Sequence, residues 1–155
     1  MKNDLKVFWA GGFFYNPKTN SVFLHRRDGN TKFDPNMVSF FGGSSEKDEK
    51  PEDCFKRELF EETGLKIETD EIIPLDDYLN KEDNIYHYTF YIISDVSKEN
   101  LVLGEGAGFD WFDLDTVFNE KITKAFERDL RKFLKRLKQP TCRQISSPSL
   151  NSSAS

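Results

Sequence analysis

The chain has 155 residues, 37% hydrophobic and 32% charged, which suits one domain that buries its own core without staples. Twenty-seven acids against 22 bases give a net charge of −5, which argues against a nucleic-acid polymer as the main partner but leaves phosphate binding through a divalent metal open. No apolar run approaches the ~18 residues of a membrane span, MKNDLKVFWAGG lacks the apolar stretch of a secretory signal, and Cys54 and Cys142 are too few for a disulfide framework; a cytoplasmic location is expected.

Residues 5–15 read as a strand, NPKTN as a turn and 21–27 as the returning strand of a hairpin. A loop follows over 28–36, then a short strand, MVSFF (37–41), ending at Gly42-Gly43. Residues 51–63 read as a helix with Pro51 in its first turn and Gly64 just past its end. Segments 65–79 and 85–95 read as strands flanking the turn NKEDN, and FDWFDL (109–114) as a last strand after the glycine-rich run 104–108. Residues 123–138 form an amphipathic helix, with Thr123 as cap and Phe126, Leu130, Phe133, Leu134 and Leu137 on one face. Its basic face (Arg128, Arg131, Lys132, Lys135, Arg136, Lys138) reads as a solvated surface or as an RNA patch. From Pro140 the chain turns rich in Ser with few apolar residues, so the expected division is a domain over 1–139 and a flexible tail over 140–155.

The chemistry concentrates in GGSSEKDEKPEDCFKRELFEETGL (42–65). Glu58, Glu61 and Glu62 stand at i, i+3 and i+4, so their carboxylates share one helix face. Like charges so placed weaken a bare helix, and a hard divalent cation is the natural compensation; an exposed acidic face is the plain alternative. Phe55 and Leu59 would anchor the helix, Arg57 can clamp Glu58, and Glu49 is a candidate partner for Arg57. Cys54 lies close to the glutamate stripe, as a small buried residue, a soft ligand or an oxidation sensor.

The spacing Gly43, five residues, Glu49, seven residues, Arg57-Glu58-Leu59, one residue, Glu61-Glu62, one residue, Gly64-Leu65 resembles the complete Nudix box, and the order of strands and helices extends the resemblance over about 1–138. The resemblance implies an α/β fold, an α/β/α sandwich around a mixed β-sheet. It implies a hydrolase that cleaves a nucleoside diphosphate linked to a further group X with Mg²⁺ or Mn²⁺. By the same resemblance Glu61 and Glu62 are metal ligands, Glu58 is a ligand or helps activate water, Arg57 orients it, and the Gly42 carbonyl joins the metal. A further catalytic glutamate from the loop before the last strand would be Glu105. One departure is Lys50 at the helix cap, where the family often has Thr or Ser.

Substrate contacts would come from outside the box. Arg27 could clamp a phosphate oxygen, Ser39 could read a base, and Trp111 could stack on one or simply pack in the core. Phe33, Asp34 and His87 complete the candidates, although His25 and His87 are most simply strand residues. Asn80-Lys81 stands where relatives acting on ADP-ribose often carry proline, so the resemblance narrows to the MutT-like group. The expectation is a nucleoside triphosphate or an oxidised form of one, giving a nucleoside monophosphate and pyrophosphate. Nucleotide sugars, dinucleoside polyphosphates and a non-catalytic nucleotide sensor are the alternatives. The expected partner is a small nucleotide, with a homodimer left open.

Overall fold

Alternation along the first strand decides where two layers of core lie. The computed structural model describes residues 7–26, 37–95 and 108–138. In β1 (Phe8–Asn16), Phe13 and Phe14 point to opposite faces, as the period of two requires. Phe13 joins Val22, Leu24, Val38 and Phe40 beneath the C-terminal helix, where the Phe133 ring meets it edge-on at 5.1 Å. Phe14 joins Phe23, Phe41, Phe90 and Ile92 beneath the glutamate helix, where Phe55 and Leu59 are fully buried. A fully buried side chain of this size contributes about 1.5–3 kcal/mol, so the aromatic content is spent on two apolar layers, one on each face.

The remaining strands are β2 (Ser21–Arg26), β3 (Val38–Ser39), β4 (Phe41–Ser44), β5 (Ile73–Asn80), β6 (Ile85–Ile93) and β7 (Gly108–Asp113). They form one seven-stranded sheet with path β3-β2-β1-β6-β5, to which β7 adds on β2 and β4 on β1. β1 and β6 run parallel from Phe8↔Tyr86 to Tyr15↔Ile93; the other ladders are antiparallel. With α1 (Pro51–Thr63) on one face and α2 (Lys124–Leu137) on the other, this is the expected α/β/α sandwich around a mixed sheet. No helix among the described residues is long and apolar enough to cross a membrane.

The topological feature that places the site is a fork. On one side of β1 the ladder to β6 is continuous; on the other, Phe14–Asn16 pair with β2 and Trp9–Gly12 pair with β4. The sheet therefore opens between β2 and β4, and Gly42-Gly43 lie on the arm that runs toward α1.

Local expectations hold with three corrections. Helix 51–63 has the predicted bounds, and Gly64 caps it in the left-handed conformation (φ 79°) with its N–H on the Phe60 carbonyl. The Thr123 hydroxyl caps α2 through the Phe126 N–H. The predicted strand 37–41 is instead two strands that part at Phe40, because β3 pairs with β2 and β4 with β1; Gly42-Gly43 lie inside β4 rather than ending it. The predicted strand 65–79 begins only at Ile73, since Thr69–Glu71 form a 3₁₀ turn closed by reciprocal Glu68 and Glu71 caps. The strand from residue 85 stops at Ile93, and Ser94 turns its N–H to the Tyr15 carbonyl. The readings placed on Arg27, Phe33, Asp34, the loop of Glu105 and the tail 140–155 lie outside the described residues.

Candidate metal centre and ligand cavity

The sequence around α1 builds its site from the loop inward. Residues 45–50 turn tightly, with Asp48 at φ 63°, the Glu49 N–H on the Glu46 carbonyl and the Glu46 N–H on Glu49 Oε1 (2.8 Å). That turn delivers Glu49 to Arg57. Arg57 donates from Nε to Glu49 Oε2 (2.6 Å) and from Nη2 to Glu49 Oε1 (2.9 Å), a two-pronged pair that fixes the guanidinium plane. Its Nη2 also reaches the Ser44 carbonyl at 3.0 Å, tying helix to β4. Its Nη1 holds Glu58 Oε2 at 3.1 Å and approaches Glu61 Oε2 at 3.4 Å. The Arg57 hydrogen bond is the main cause that keeps Glu49 below the usual carboxylate range, and Glu49 in turn holds Arg57 firmly protonated.

The three glutamates on the stripe meet different surroundings. Glu62 is only 6% exposed and accepts the Gly42 N–H at 3.1 Å. The Glu58 carboxylate lies directly over Gly43, in the space a side chain there would occupy. Glu61 points outward, its side chain half exposed. Gly42 has φ 152°, where a side chain is strained, and a Cβ on it would run into the backbone of β1. The double glycine is thus needed for space: it lets two carboxylates approach the backbone of β4. Cys54 beneath them is buried, its thiol pushed up to about 12 chiefly by burial and directed at the Gly43 carbonyl (3.6 Å). It is a protonated packing residue, not a thiolate.

These donors fit a hard cation. Glu58, Glu61 and Glu62 offer oxygens beside the carbonyl-bearing Gly42-Gly43 backbone, and buried Glu62 gains from a positive neighbour. Among the described residues no three His, Cys, Asp or Glu side chains converge into a ready-made cage.

Of the three described substrate candidates, the structure brings Ser39 and His87 together and sets Trp111 apart. Ser39 is buried on the wall of a cavity of about 240 Å³, together with Trp9, Asn80, His87, Thr123 and Phe126. Trp111 is not among the lining residues; it packs against Phe23 at 5.0 Å on the α1 side of the sheet. The cavity's aromatic wall follows the register Trp9↔His87↔Tyr78 across β1, β6 and β5. Trp9 stacks on His87 (5.1 Å, 27°), Tyr78 lies 5.5 Å beyond, and Phe126 of α2 closes on Trp9 at 5.4 Å. The same indole lies close to Gly42, the residue whose N–H Glu62 accepts. Trp9, Asn80, Thr123 and Phe126 are not read from the sequence as cavity residues; Thr123 and Phe126 are read there only as the cap and apolar face of a helix, and Asn80 only as a position without the proline of ADP-ribose enzymes. They come from three strands' worth of register and a helix cap, and only the parallel β1–β6 pairing brings them together. The basic face of α2 is largely engaged: Lys132 on Asp76 (2.9 Å), Arg136 on the Pro74 carbonyl, Arg131 on Glu127, Arg128 over the Tyr78 ring. Lys132, Arg136 and Arg128 thus tie the helix to β5, while the Arg131–Glu127 pair lies within the helix.

The model of the NUDIX domain matches residues 9–137. Among solved structures, the chain is similar to the MutT protein from Methanosarcina mazei, with 20% identity, TM-score 0.63, 86% of this chain and 96% of that one covered. It is similar to MutT from Aliivibrio salmonicida and Vibrio cholerae, with 18% identity, TM-score 0.69 and 84% and 98% covered. It is also similar to the NUDIX domain of Shewanella oneidensis NrtR in complex with ADP ribose, with 15% identity, TM-score 0.69 and 85% and 88% covered. At these identities the structural likeness speaks for the fold.

Proposed function

The chain belongs to the Nudix family of hydrolases, and on that premise we propose that it hydrolyses a nucleoside triphosphate, ordinary or oxidised, to a nucleoside monophosphate and pyrophosphate with Mg²⁺ or Mn²⁺. The observation that carries this reading is the Arg57 lattice: one guanidinium holds Glu49 and Glu58 and touches Glu61, so a helix of like charges is pre-arranged as an acidic bowl beside Gly42-Gly43. A polyphosphate would be repelled by such a bowl alone. A divalent ion held by these carboxylates would offset their negative charge toward a polyphosphate and supply Lewis-acid chemistry that makes water a better nucleophile.

The residues' own roles follow from their surroundings. Glu61 and Glu62 would hold the ion, with the Gly42 carbonyl beside them. Glu58, clamped by Arg57, would receive the proton of the attacking water or contribute a further ligand oxygen. Water attacks a phosphorus of the anhydride, the bridging P–O bond breaks, and the leaving phosphate side departs with the bonding pair. Glu105, on sequence grounds, is a second candidate for the proton. Arg27 and Trp111 remain candidates for substrate contact. The base would enter the cavity at Ser39, whose stacked Trp9 and His87 rings offer a planar wall.

ADP ribose in the NrtR domain keeps a second reading in play, an ADP-ribose-type or dinucleotide substrate in the same bowl. A hydrolysis screen with product identification separates them. It would compare ordinary and oxidised nucleoside triphosphates, ADP-ribose, nucleotide sugars and dinucleoside polyphosphates with Mg²⁺. Release of pyrophosphate from one triphosphate supports the proposal. Turnover only of ADP-ribose or a dinucleotide overturns the triphosphate assignment and keeps the metal centre. Tight binding without turnover would make the protein a sensor.

A further inference from the structure

Asp129 is a group that the hydrolytic reading does not use. It sits on the inner face of α2, between Phe126 and Phe133, and has no exposed surface. Its Oδ2 accepts the Tyr78 hydroxyl at 3.4 Å, while its Oδ1 is buried and accepts no hydrogen bond. Its neighbour across the helix–sheet seam is another carboxylate, Asp76 of β5, whose Oδ1 takes the Lys132 ammonium at 2.9 Å and the Asp77 N–H. Two carboxylates are acceptors only, so this contact becomes a hydrogen bond when one of them carries a proton.

We propose that Asp76 and Asp129 share one proton and form a pH-sensitive latch that holds α2, and with it one wall of the Ser39 cavity, against the sheet. The charged and titratable groups facing the pair are Tyr78 of β5, with His87 of β6 behind it, and Arg128 and Lys132 of α2. Lys132 rests on Asp76, and Arg128 lies over the Tyr78 ring at 4.0 Å, so neither closes an ion pair with Asp129 among the described residues. Burial first, and then Asp76, raise Asp129 to about 7, against the weaker pull of Arg128 and Tyr78. For Asp76 burial works upward as well, but the hydrogen bonds from Lys132 and Asp129 bring it below its usual value. The proton therefore resides on Asp129.

The latch reaches the cavity by two routes. Ala125 and Phe126, one helical turn before Asp129, line it, and Tyr78 carries Asp129 to the His87 ring on its wall. The sign is fixed by the raised folded value: the latch is closed at low pH and is lost as pH rises through about 7. Once α2 opens, Asp129 returns to the ordinary aspartate range near 4, so opening becomes up to about tenfold more frequent per pH unit between about 4 and about 7 and levels off above that.

Carboxyl-carbon NMR of the wild-type protein, with amide exchange of α2 corrected for intrinsic rate, tests this without any substrate. The Asp129 signal is expected to titrate near 7, and α2 protection to fall by up to about tenfold per unit between about pH 4 and 7 and then to level off. In Asp129→Asn that fall should vanish. Complete titration of every aspartate below about pH 5, or an equal fall in the variant, overturns the latch. Should Asp129→Asn not fold, Asp76→Asn serves instead: it must lower the Asp129 midpoint, and an unchanged midpoint refutes sharing. A consequence for the enzyme rests on the nucleotide reading: substrate KM should rise as pH increases toward about 7 in the wild type and not in Asp129→Asn. The NMR and exchange results stand apart from that reading and remain decisive if the substrate assignment fails.

Discussion

Arg57 makes five polar contacts of different kinds with Glu49, Glu58, Glu61 and the Ser44 carbonyl, and its planar fork is what lets it do so. A lysine keeps the charge but not the fork. Arg57→Lys is therefore expected to lower kcat by about 10–100-fold, the usual cost of losing an outer partner of a metal ligand, with KM changed little. Steady-state kinetics with saturating Mg²⁺ checks it. Glu61→Gln and Glu62→Gln should lose more than that 10–100-fold, with circular dichroism unchanged for Glu61→Gln, whose side chain is half exposed. Near-normal rates in either would sink the metal-centre assignment. Gly43→Ala pushes a methyl into the Glu58 carboxylate. It is expected to cut turnover while the chain still folds, and a crystal structure or NMR would show Glu58 displaced.

At the level of elements, the two helices are stabilised differently. α2 has a working cap at Thr123 and cations Lys135 and Arg136 in its last turn. α1 begins at Lys50, which has the extended backbone of a cap residue but no capping hydrogen bond. Lys50→Ser is thus expected to stabilise the protein by about 0.5–1 kcal/mol without altering turnover, and Thr123→Ala to destabilise it by about 1 kcal/mol. Denaturant melts measure both. The strand readings failed where one segment serves two partners. MVSFF has strand composition throughout, and nothing local marks Phe40 as the point where β3 leaves β2 and β4 joins β1. The 3₁₀ turn at Thr69 depended on a Glu68–Glu71 exchange of caps that was present in the residues but not read from them.

For the whole molecule, the fork in β1 sets Gly42 and Gly43 on an arm of the sheet facing α1, while the ring-walled cavity at Ser39 is closed by Phe126 of α2. Arg57 and Glu49 tie the start of α1 to its preceding loop through protein contacts, so that arrangement does not need an ion to form. Chelation is expected to abolish turnover, to be reversed by Mg²⁺ or Mn²⁺, and to shift Tm only by the modest linkage of a weakly held ion. A collapse of Tm on chelation would mean the ion is structural. Removing 140–155 is expected to leave both Tm and turnover unchanged, as its composition carries no core.

The sequence by itself determined the helix of glutamates, its ends, its Arg57–Glu49 partnership and the family, because those depend on spacing within one continuous segment of 23 residues. It also determined the apolar face of the C-terminal helix, through helical spacing. Only the tertiary structure decided that Ser39 meets Trp9, His87 and Phe126 in one cavity while Trp111 packs elsewhere. It alone set Asp129 against Asp76. The physical reason is register: local spacing orders side chains along one element, whereas a parallel β1–β6 pair and a helix laid across β5 join residues about fifty to eighty positions apart that no local pattern links.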